Sequence, residues 1–149
     1  MKISVRIGIF IAVSFWLGCG GRMPEGLGVD RGLLAPCPNK PNCVSSFAGE
    51  EDHRIDALAI EGSDETAWQN LSRLLESAPR VEIVTSSTTY IHAVYTTPIM
   101  RYRDDVEFLL RTDENEIAVR SASRVGYSDM GLNRDRIEAI RAALRAKDA

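Results

Sequence analysis

Two neighbouring segments, Asp105–Arg111 and Ile117–Ser123, constrain the fold more than any other feature of this chain. In the first segment apolar and charged residues alternate, which is the pattern of a strand with one buried face. The residues between the segments, 113–116, are polar and suit a turn. The sequence therefore predicts an antiparallel hairpin with one apolar face and one charged face.

Charge pairing sets the expected register of this hairpin. A two-residue turn at Glu114–Asn115 places Leu110 opposite Val119. The same register places Phe108 opposite Ser121 and keeps the apolar groups on one face. The opposite face then carries complementary charges, which are those of Asp105, Glu107, Arg120 and Arg124. A slip of one residue would destroy this arrangement.

Two amphipathic helices flank the predicted strands. Ser63 can cap the first helix, whose apolar residues recur at three- and four-residue steps until Pro79. Asn133 can cap the last helix, with Leu132 and Ile137 forming a hydrophobic staple. The remaining predicted strands are His53–Ile60, Val81–Thr85 and Tyr90–Tyr95.

The order β-α-β-β-β-β-α predicts an α+β fold, with an antiparallel sheet of about five strands and both helices on one face. This order resembles the TATA-binding-protein-like and helix-grip arrangements. Members of these groups range from nucleic-acid binders to lipid carriers, so the resemblance does not select a function.

Residues 1–18 have the pattern of a signal peptide. Lys2 and Arg6 precede the apolar run Ile7–Leu17, which is shorter than the ~20 residues that span a bilayer. The run ends in Gly18-Cys19, which resembles the lipobox of bacterial lipoproteins, where the Cys is acylated. Trp16 stands where lipoboxes usually carry Leu, so ordinary cleavage nearby is the alternative.

This pattern predicts a lipoprotein anchored to a membrane through an acyl chain such as palmitate on Cys19. Residues 19–32 are Gly-rich and predict a tether, and residues 33–149 predict a single α+β domain. Gly20 follows Cys19 where an inner-membrane retention signal often has Asp. We therefore expect a periplasm-facing protein of the cell envelope, on the outer membrane.

Three cysteines are an odd number for an exported protein. If Cys19 carries lipid, Cys37 and Cys43 remain to form a disulfide in an oxidising compartment. Their spacing matches neither the C-x-x-C of thiol oxidoreductases nor a common zinc pattern. We expect a structural disulfide.

The formal net charge of the chain is −3, and it becomes about −5 if Lys2 and Arg6 leave with the leader. Nucleic-acid binding requires a basic face, so we expect no nucleic-acid partner. No sequence pattern indicates a cofactor or a catalytic residue. We expect a binding module more than an enzyme.

Three segments, together with His53 and His92, carry a family resemblance. They are Pro36–Ser46, Asp104–Phe108 and Arg120–Asp129, the last followed by Gly131, Asn133, Arg134, Arg136, Ile137 and Glu138. This set resembles the family called domain of unknown function 1499, from Leu33 to near the C-terminus. The resemblance implies a domain often found in envelope or membrane-associated proteins, and no established activity.

The stretch from Arg120 to Arg134 contains the residue types of an anion site. Guanidinium groups and free backbone N–H groups at the start of a helix can hold a carboxylate or phosphate. The candidate ligand-binding residues are Arg120, Ser121, Ser123, Arg124, Tyr127, Asp129, Asn133 and Arg134, with His92, Asp105 and Glu107. In the alternative interpretation, Arg120 and Arg124 pair with the two acidic residues, and Asp129 fixes its loop.

Three other functions are considered. A hydrolase would combine Ser45 or Ser46, His92 or His53, and Asp104 or Asp105. A metal site would use His92, Asp105 and Glu107. A lipid carrier would line an apolar cavity with Trp68, Phe108, Leu110 and Ile140.

Overall fold

The computed structural model describes residues 20–148. The predicted signal peptide, residues 1–18, and the predicted acylation site Cys19 lie outside the described residues. Two α-helices are present in the described part, α1 (Asp64–Ser77) and α2 (Leu132–Asp148). The strands β1 to β8 are Val29–Asp30, Leu33–Leu34, Cys43–Ser45, Leu58–Ala59, Val81–Ser86, Tyr90–Thr96, Arg103–Arg111 and Glu116–Ser123.

Six of these strands form one open sheet in the order β3-β8-β7-β6-β5, with β4 also pairing with β8. Neighbouring strands are antiparallel, and β1 and β2 form a separate two-stranded ribbon. From β4 onward the order is β-α-β-β-β-β-α, as predicted. The α+β fold class is confirmed, and six strands replace the expected five.

Both helices pack on the same face of the sheet. Leu71 and Leu75 of α1 and Ile137 of α2 share one core cluster with Phe108 of β7 and Val119 of β8. All five of these side chains are fully buried. We call the side of the sheet that the helices cover the helix face, and we call the opposite side the helix-free face.

The β7–β8 hairpin forms with a different turn from the predicted one. A short 3-10 helix, Thr112–Glu114, is followed by Asn115 in the left-handed region at a φ of 55°. Phe108 therefore lies opposite Val119, two residues from the predicted partner. Because side chains alternate with a period of two, this shift leaves every residue on its predicted face.

The first predicted strand, His53–Ile60, is mostly wrong. Within it, only Leu58–Ala59 forms a strand, paired with Ile117 and Glu116 of β8. Arg54 makes one isolated parallel bridge to Ser45 of β3. A 3-10 turn over Glu51–His53 includes the first residue of the predicted strand.

The caps of the helices differ in outcome. The Ser63 hydroxyl accepts a hydrogen bond from the Thr66 N–H, so the predicted cap of α1 is confirmed. Asn133 does not cap α2, since it lies inside the helix. The Asp129 carboxylate instead accepts from the backbone N–H groups of Gly131 and Asn133 at the helix start. Leu132 is exposed and forms no staple.

The N-terminal residues 20–34, which we call the covering segment, cross the helix-free face along β7. A side chain at Gly20 would approach Arg103 at the start of β7 to 2.9 Å. The Gly28 N–H donates to Glu107 in the middle of β7, and Leu34 packs on Leu109 near its end. Residues of the predicted tether thus contact the domain.

Candidate functional site

The helix-free face holds a layer of buried charged side chains. Glu107 is fully buried at its centre and accepts hydrogen bonds through both carboxylate oxygens. Its Oε1 accepts from the Tyr90 hydroxyl and the Gly28 N–H at 2.8 Å each, and its Oε2 accepts from Arg120 Nη1 at 3.0 Å. Burial and the neighbouring carboxylate raise the pKa of the Tyr90 phenol well above its usual value. Tyr90 therefore remains a hydrogen-bond donor.

A second buried group lies beside the first on the same face. Arg124 donates to both oxygens of Asp105 at 2.8 Å, and His92 Nε2 lies 2.8 Å from Asp105 Oδ1. Burial alone would raise the pKa of Asp105, but the hydrogen bonds from His92 and Arg124 outweigh it and lower that pKa. The bond to Asp105 raises the pKa of the Arg124 guanidinium in turn. Asp105 and Arg124 form a fixed ion pair.

A cavity of about 910 Å³ lies over this charged layer. Its walls come from the covering segment, from the disulfide loop and from β8. Cys37 and Cys43 form the predicted disulfide, with their Cα atoms 5.7 Å apart. The loop between the two cysteines contributes Pro38, Lys40 and Asn42 to the cavity wall.

Two buried polar atoms in residues of this wall have no hydrogen-bond partner among the described residues. They are the Nε of Arg120 and the Oδ1 of Asn42. Arg120 is 6% exposed. The only described hydrogen bond of its side chain is the one that Nη1 donates to Glu107. A buried polar group without a partner costs about 1–3 kcal/mol. Two residues that line the cavity thus carry an unsatisfied donor and an unsatisfied acceptor, and both of these atoms are enclosed.

The structure divides the predicted site residues between the two faces of the sheet. Those that meet on the helix-free face are His92, Asp105, Glu107, Arg120 and Arg124. Ser121, Ser123, Asp129 and Asn133 meet on the other side of β8, where the Asn133 amide bonds to the other three.

Arg134 and Tyr127 join neither group. Arg134 donates to the backbone carbonyls of Asp52 and Arg54. Tyr127 is exposed in the loop before α2. The predicted convergence of Arg134 with Arg120 and Arg124 therefore does not occur.

Several residues of these clusters were not predicted from the sequence. Tyr90 lies two residues before His92 on the same strand. Because alternate residues of a strand share a face, the sequence could have predicted that Tyr90 lies on the same face as His92. Arg136 donates to Asp104, Asn133 and Ser121, at 2.5 Å, 2.5 Å and 2.9 Å. Gly28 contributes only its backbone N–H, for which no side chain gives a signal.

The proposed Ser-His-Asp combination is not assembled. Ser45 lies on β3 and His92 on β6, with β8 and β7 between them. Adjacent strands lie ≈ 4.7–4.9 Å apart, so the two side chains are far beyond hydrogen-bond reach. The Ser46 hydroxyl bonds to the backbone of Val119, and His53 Nδ1 lies 2.9 Å from the Cys43 carbonyl oxygen.

The carboxylates considered for a metal site bind guanidinium groups instead. Glu107 pairs with Arg120 and Asp105 pairs with Arg124. Within residues 20–148, no group of three or more His, Cys, Asp or Glu side chains has a metal-binding arrangement. The four residues considered for a lipid cavity, Trp68, Phe108, Leu110 and Ile140, belong to the core between sheet and helices.

Comparison with known proteins identifies the domain. The family model described as a protein of unknown function, DUF1499, matches residues 33–144. The chain belongs to this family. The DUF1499 match begins at β2 and ends within α2, so it includes both buried charge clusters of the helix-free face. Neither a curated protein nor a solved structure gives a significant match to the chain.

Proposed function

We propose that this DUF1499 protein is exported, is anchored by lipid at Cys19 in the cell envelope, and acts there as a non-catalytic binding module. Its ligand is a small molecule with an anionic group, held in the cavity between the covering segment and β8. The support for export is the leader pattern of residues 1–18 and the disulfide between Cys37 and Cys43. Gly20 after the acylation site favours the outer membrane, facing the periplasm.

The observation that carries the ligand proposal is the unsatisfied Nε–H of Arg120, a residue that lines the cavity. Arg124 is unsuited to this role because Asp105 occupies its Nε and Nη2. A carboxylate or phosphate reaching Arg120 would supply the missing acceptor, and charge-assisted hydrogen bonds are the strong ones. Lys40 and Arg31 also line the cavity, where their charges offset those of Glu25 and Asp30.

Asn42 adds a second requirement for the ligand. Its buried Oδ1 needs a donor, whereas Arg120 needs an acceptor. A molecule with an anionic group at one end and a hydroxyl or amine at the other would satisfy both atoms.

Binding fits this site better than catalysis does. The acidic side chains under the cavity are held by arginines at 2.8 Å and 3.0 Å, and His92 is buried against Asp105. General acid–base catalysis needs a titrating group within reach of the substrate. These groups are instead fixed as one polar layer beneath the cavity.

Nitrogen-15 NMR of arginine side chains tests the ligand proposal. Acetate and phosphate are titrated separately into the complete mature protein at constant ionic strength. We expect the Arg120 Nε–H signal to shift with saturation. The matched control is Arg111, which pairs with Glu114 and Glu116 on the surface, and its signal should not saturate. Equal, unsaturated shifts of both arginines would contradict the proposal.

Mass spectrometry of the exported protein tests the anchoring proposal separately. We expect an N-terminal residue Cys19 that carries diacylglycerol. An unmodified N-terminus beyond Cys19 would contradict anchoring and leave the ligand proposal standing. The uncleaved chain with reduced cysteines in the cytosol would contradict export.

A further inference from the structure

One end of the sheet carries most of the exposed apolar surface. Six of the ten large hydrophobic residues exposed in residues 20–148 lie in the β6–β7 loop, the β8–α2 loop and the first residue of α2. We call them the apolar loop surface, and they are Ile99, Met100, Tyr102, Tyr127, Met130 and Leu132. Met130 is 96% exposed and Ile99 is 86% exposed. Such a concentration of apolar residues marks an interaction site.

The two loops meet at one recess. Tyr102 from the first loop and Val125, Met130 and Leu132 from beyond β8 line a shared recess of about 460 Å³. The second loop is fixed by its own hydrogen bonds, because Ser128 Oγ accepts from the Met130 N–H. Met130 is therefore presented to solvent by an ordered turn.

The described chain also begins at this end of the sheet. Gly20 lies against Arg103, and Gly21 lies against Arg124 and Val125, at the edge of the same recess. Cys19 directly precedes Gly20 in the sequence. An acyl chain on Cys19 would therefore start beside the apolar loop surface.

The charges around this end suit a surface of anionic lipid headgroups. Arg101 is exposed just before β7, Arg103 is exposed at the first position of β7, and Arg22 is exposed two residues after Gly20. Basic residues next to a membrane surface are attracted to its anionic lipids. Apolar side chains at the tip and basic groups behind them match the order of layers in a bilayer interface.

We infer that the apolar loop surface docks on the phospholipid bilayer, with Ile99 and Met130 inserted at the interface. This inference rests on the proposed anchoring, and it adds an orientation. The covering segment returns along the sheet from Gly20, so the domain lies directly on the membrane with the β7–β8 turn pointing away. The observation that selects a bilayer is the position of Gly20, because the residue after the proposed anchor lies at the end of the sheet that carries the apolar loops.

Hydrogen–deuterium exchange on vesicles tests this orientation. The protein is purified from its own membranes and reconstituted on vesicles of phosphatidylethanolamine and phosphatidylglycerol. We expect exchange in residues 97–102 and 126–131 to slow at least about threefold relative to the detergent-free protein without vesicles. The turn residues 112–115, at the opposite end of the sheet, should exchange at unchanged rates.

A pair of variants separates insertion from general attachment. Ile99→Glu combined with Met130→Glu should abolish the protection, because both side chains are exposed and a charge resists insertion. The matched control is Val84→Glu, which changes another exposed apolar residue, 41% exposed on the edge strand β5, and should keep the protection. Circular dichroism should show equal melting of all three proteins.

The outcomes distinguish this inference from the anchoring proposal. Acylated, vesicle-bound protein whose loops exchange as fast as the turn would overturn the docking inference and leave anchoring intact. If the purified protein is unacylated, anchoring fails, and the same protein is then tested with vesicles in excess. Protection of the two loops there would still support docking, and its absence would overturn it.

Discussion

The two faces of the β-sheet are buried by opposite means. On the helix face, Phe108 and Val119 pack against two amphipathic helices in an apolar core. On the helix-free face, the neighbouring residues Glu107 and Arg120 are buried as an ion pair beneath the covering segment. Apolar burial is non-directional and tolerant, whereas a buried charge requires its partners at hydrogen-bond distance.

This difference indicates which face carries the function. A charged layer contributes less to stability than an apolar layer of equal volume, because desolvation opposes the Coulombic attraction. The helix-free face also borders the cavity and the unsatisfied atoms of Arg120 and Asn42. The helix face therefore stabilises the domain, and the helix-free face is where a ligand would gain specific contacts.

The largest expected effects come from adjacent residues of β7 on opposite faces. Phe108→Ala and Glu107→Leu should each lower the free energy of unfolding by about 3–5 kcal/mol. Only the stability lost in Glu107→Leu should be recovered by a second substitution, at its partner Arg120. Glu107→Leu combined with Arg120→Met removes both charges and should recover part of the stability in chemical denaturation, while Tyr90 and Gly28 still lack their acceptor. A double variant no more stable than Glu107→Leu would contradict the ion-pair description.

The next effect is pH-dependent. Asp105→Asn leaves Arg124 buried without its charge partner and should cost about 3 kcal/mol at neutral pH. Because the pKa of folded Asp105 is lowered, its carboxylate stabilises the protein fully above the usual carboxyl pKa, ≈ 3.9. That stabilisation is lost as the pH falls below about 4 toward the lowered pKa.

Urea denaturation across this pH range measures the difference between wild type and Asp105→Asn. The difference should shrink as the pH decreases. The exposed turn residue gives a matched control, Asp113→Asn, for which stability should change little at any pH. A difference for Asp105→Asn that stays constant down to strongly acidic pH would refute the coupling.

A smaller effect is expected from the disulfide, which restrains the cavity wall on the helix-free side. Cys37→Ala with Cys43→Ala should lower stability by about 2 kcal/mol, since the closed loop is short. Thermal denaturation of both proteins measures this loss. An unchanged melting temperature would show that the loop holds its position without the disulfide.

The smallest effect concerns the helix face. Ser63→Ala should cost about 1 kcal/mol because the Thr66 N–H loses its acceptor at the start of α1. Ser63→Asp supplies another acceptor and should restore the stability, as measured by chemical denaturation. A Ser63→Asp variant as unstable as Ser63→Ala would show that the hydroxyl acts in another way.

The sequence predicted features that depend on local periodicity. Alternation in β7 and β8 identified both faces correctly, although the register of Phe108 was two residues off. The assignment of residues to faces remained correct because strand side chains alternate with a period of two residues. The helix α1 and its cap at Ser63 also follow from local pattern.

Features that depend on distant contacts could not be predicted in this way. Asn133 has the residue type of a cap, but its amide binds the backbone carbonyl of Asn42, which is 91 positions away. Arg134 turns to carbonyls that belong to the segment before β4. The contact of Gly28 with Glu107 uses only a backbone N–H, so no side-chain pattern reveals it.

Native mass spectrometry of the protein taken from its own cell envelope tests the central claim most directly. Three forms are compared, the wild type, Arg120→Met and Arg111→Met, each after circular dichroism has shown that it is folded. We expect a bound small anionic molecule on the wild type and on Arg111→Met, and none on Arg120→Met. The same bound molecule on all three, or on none, would contradict a ligand site at Arg120.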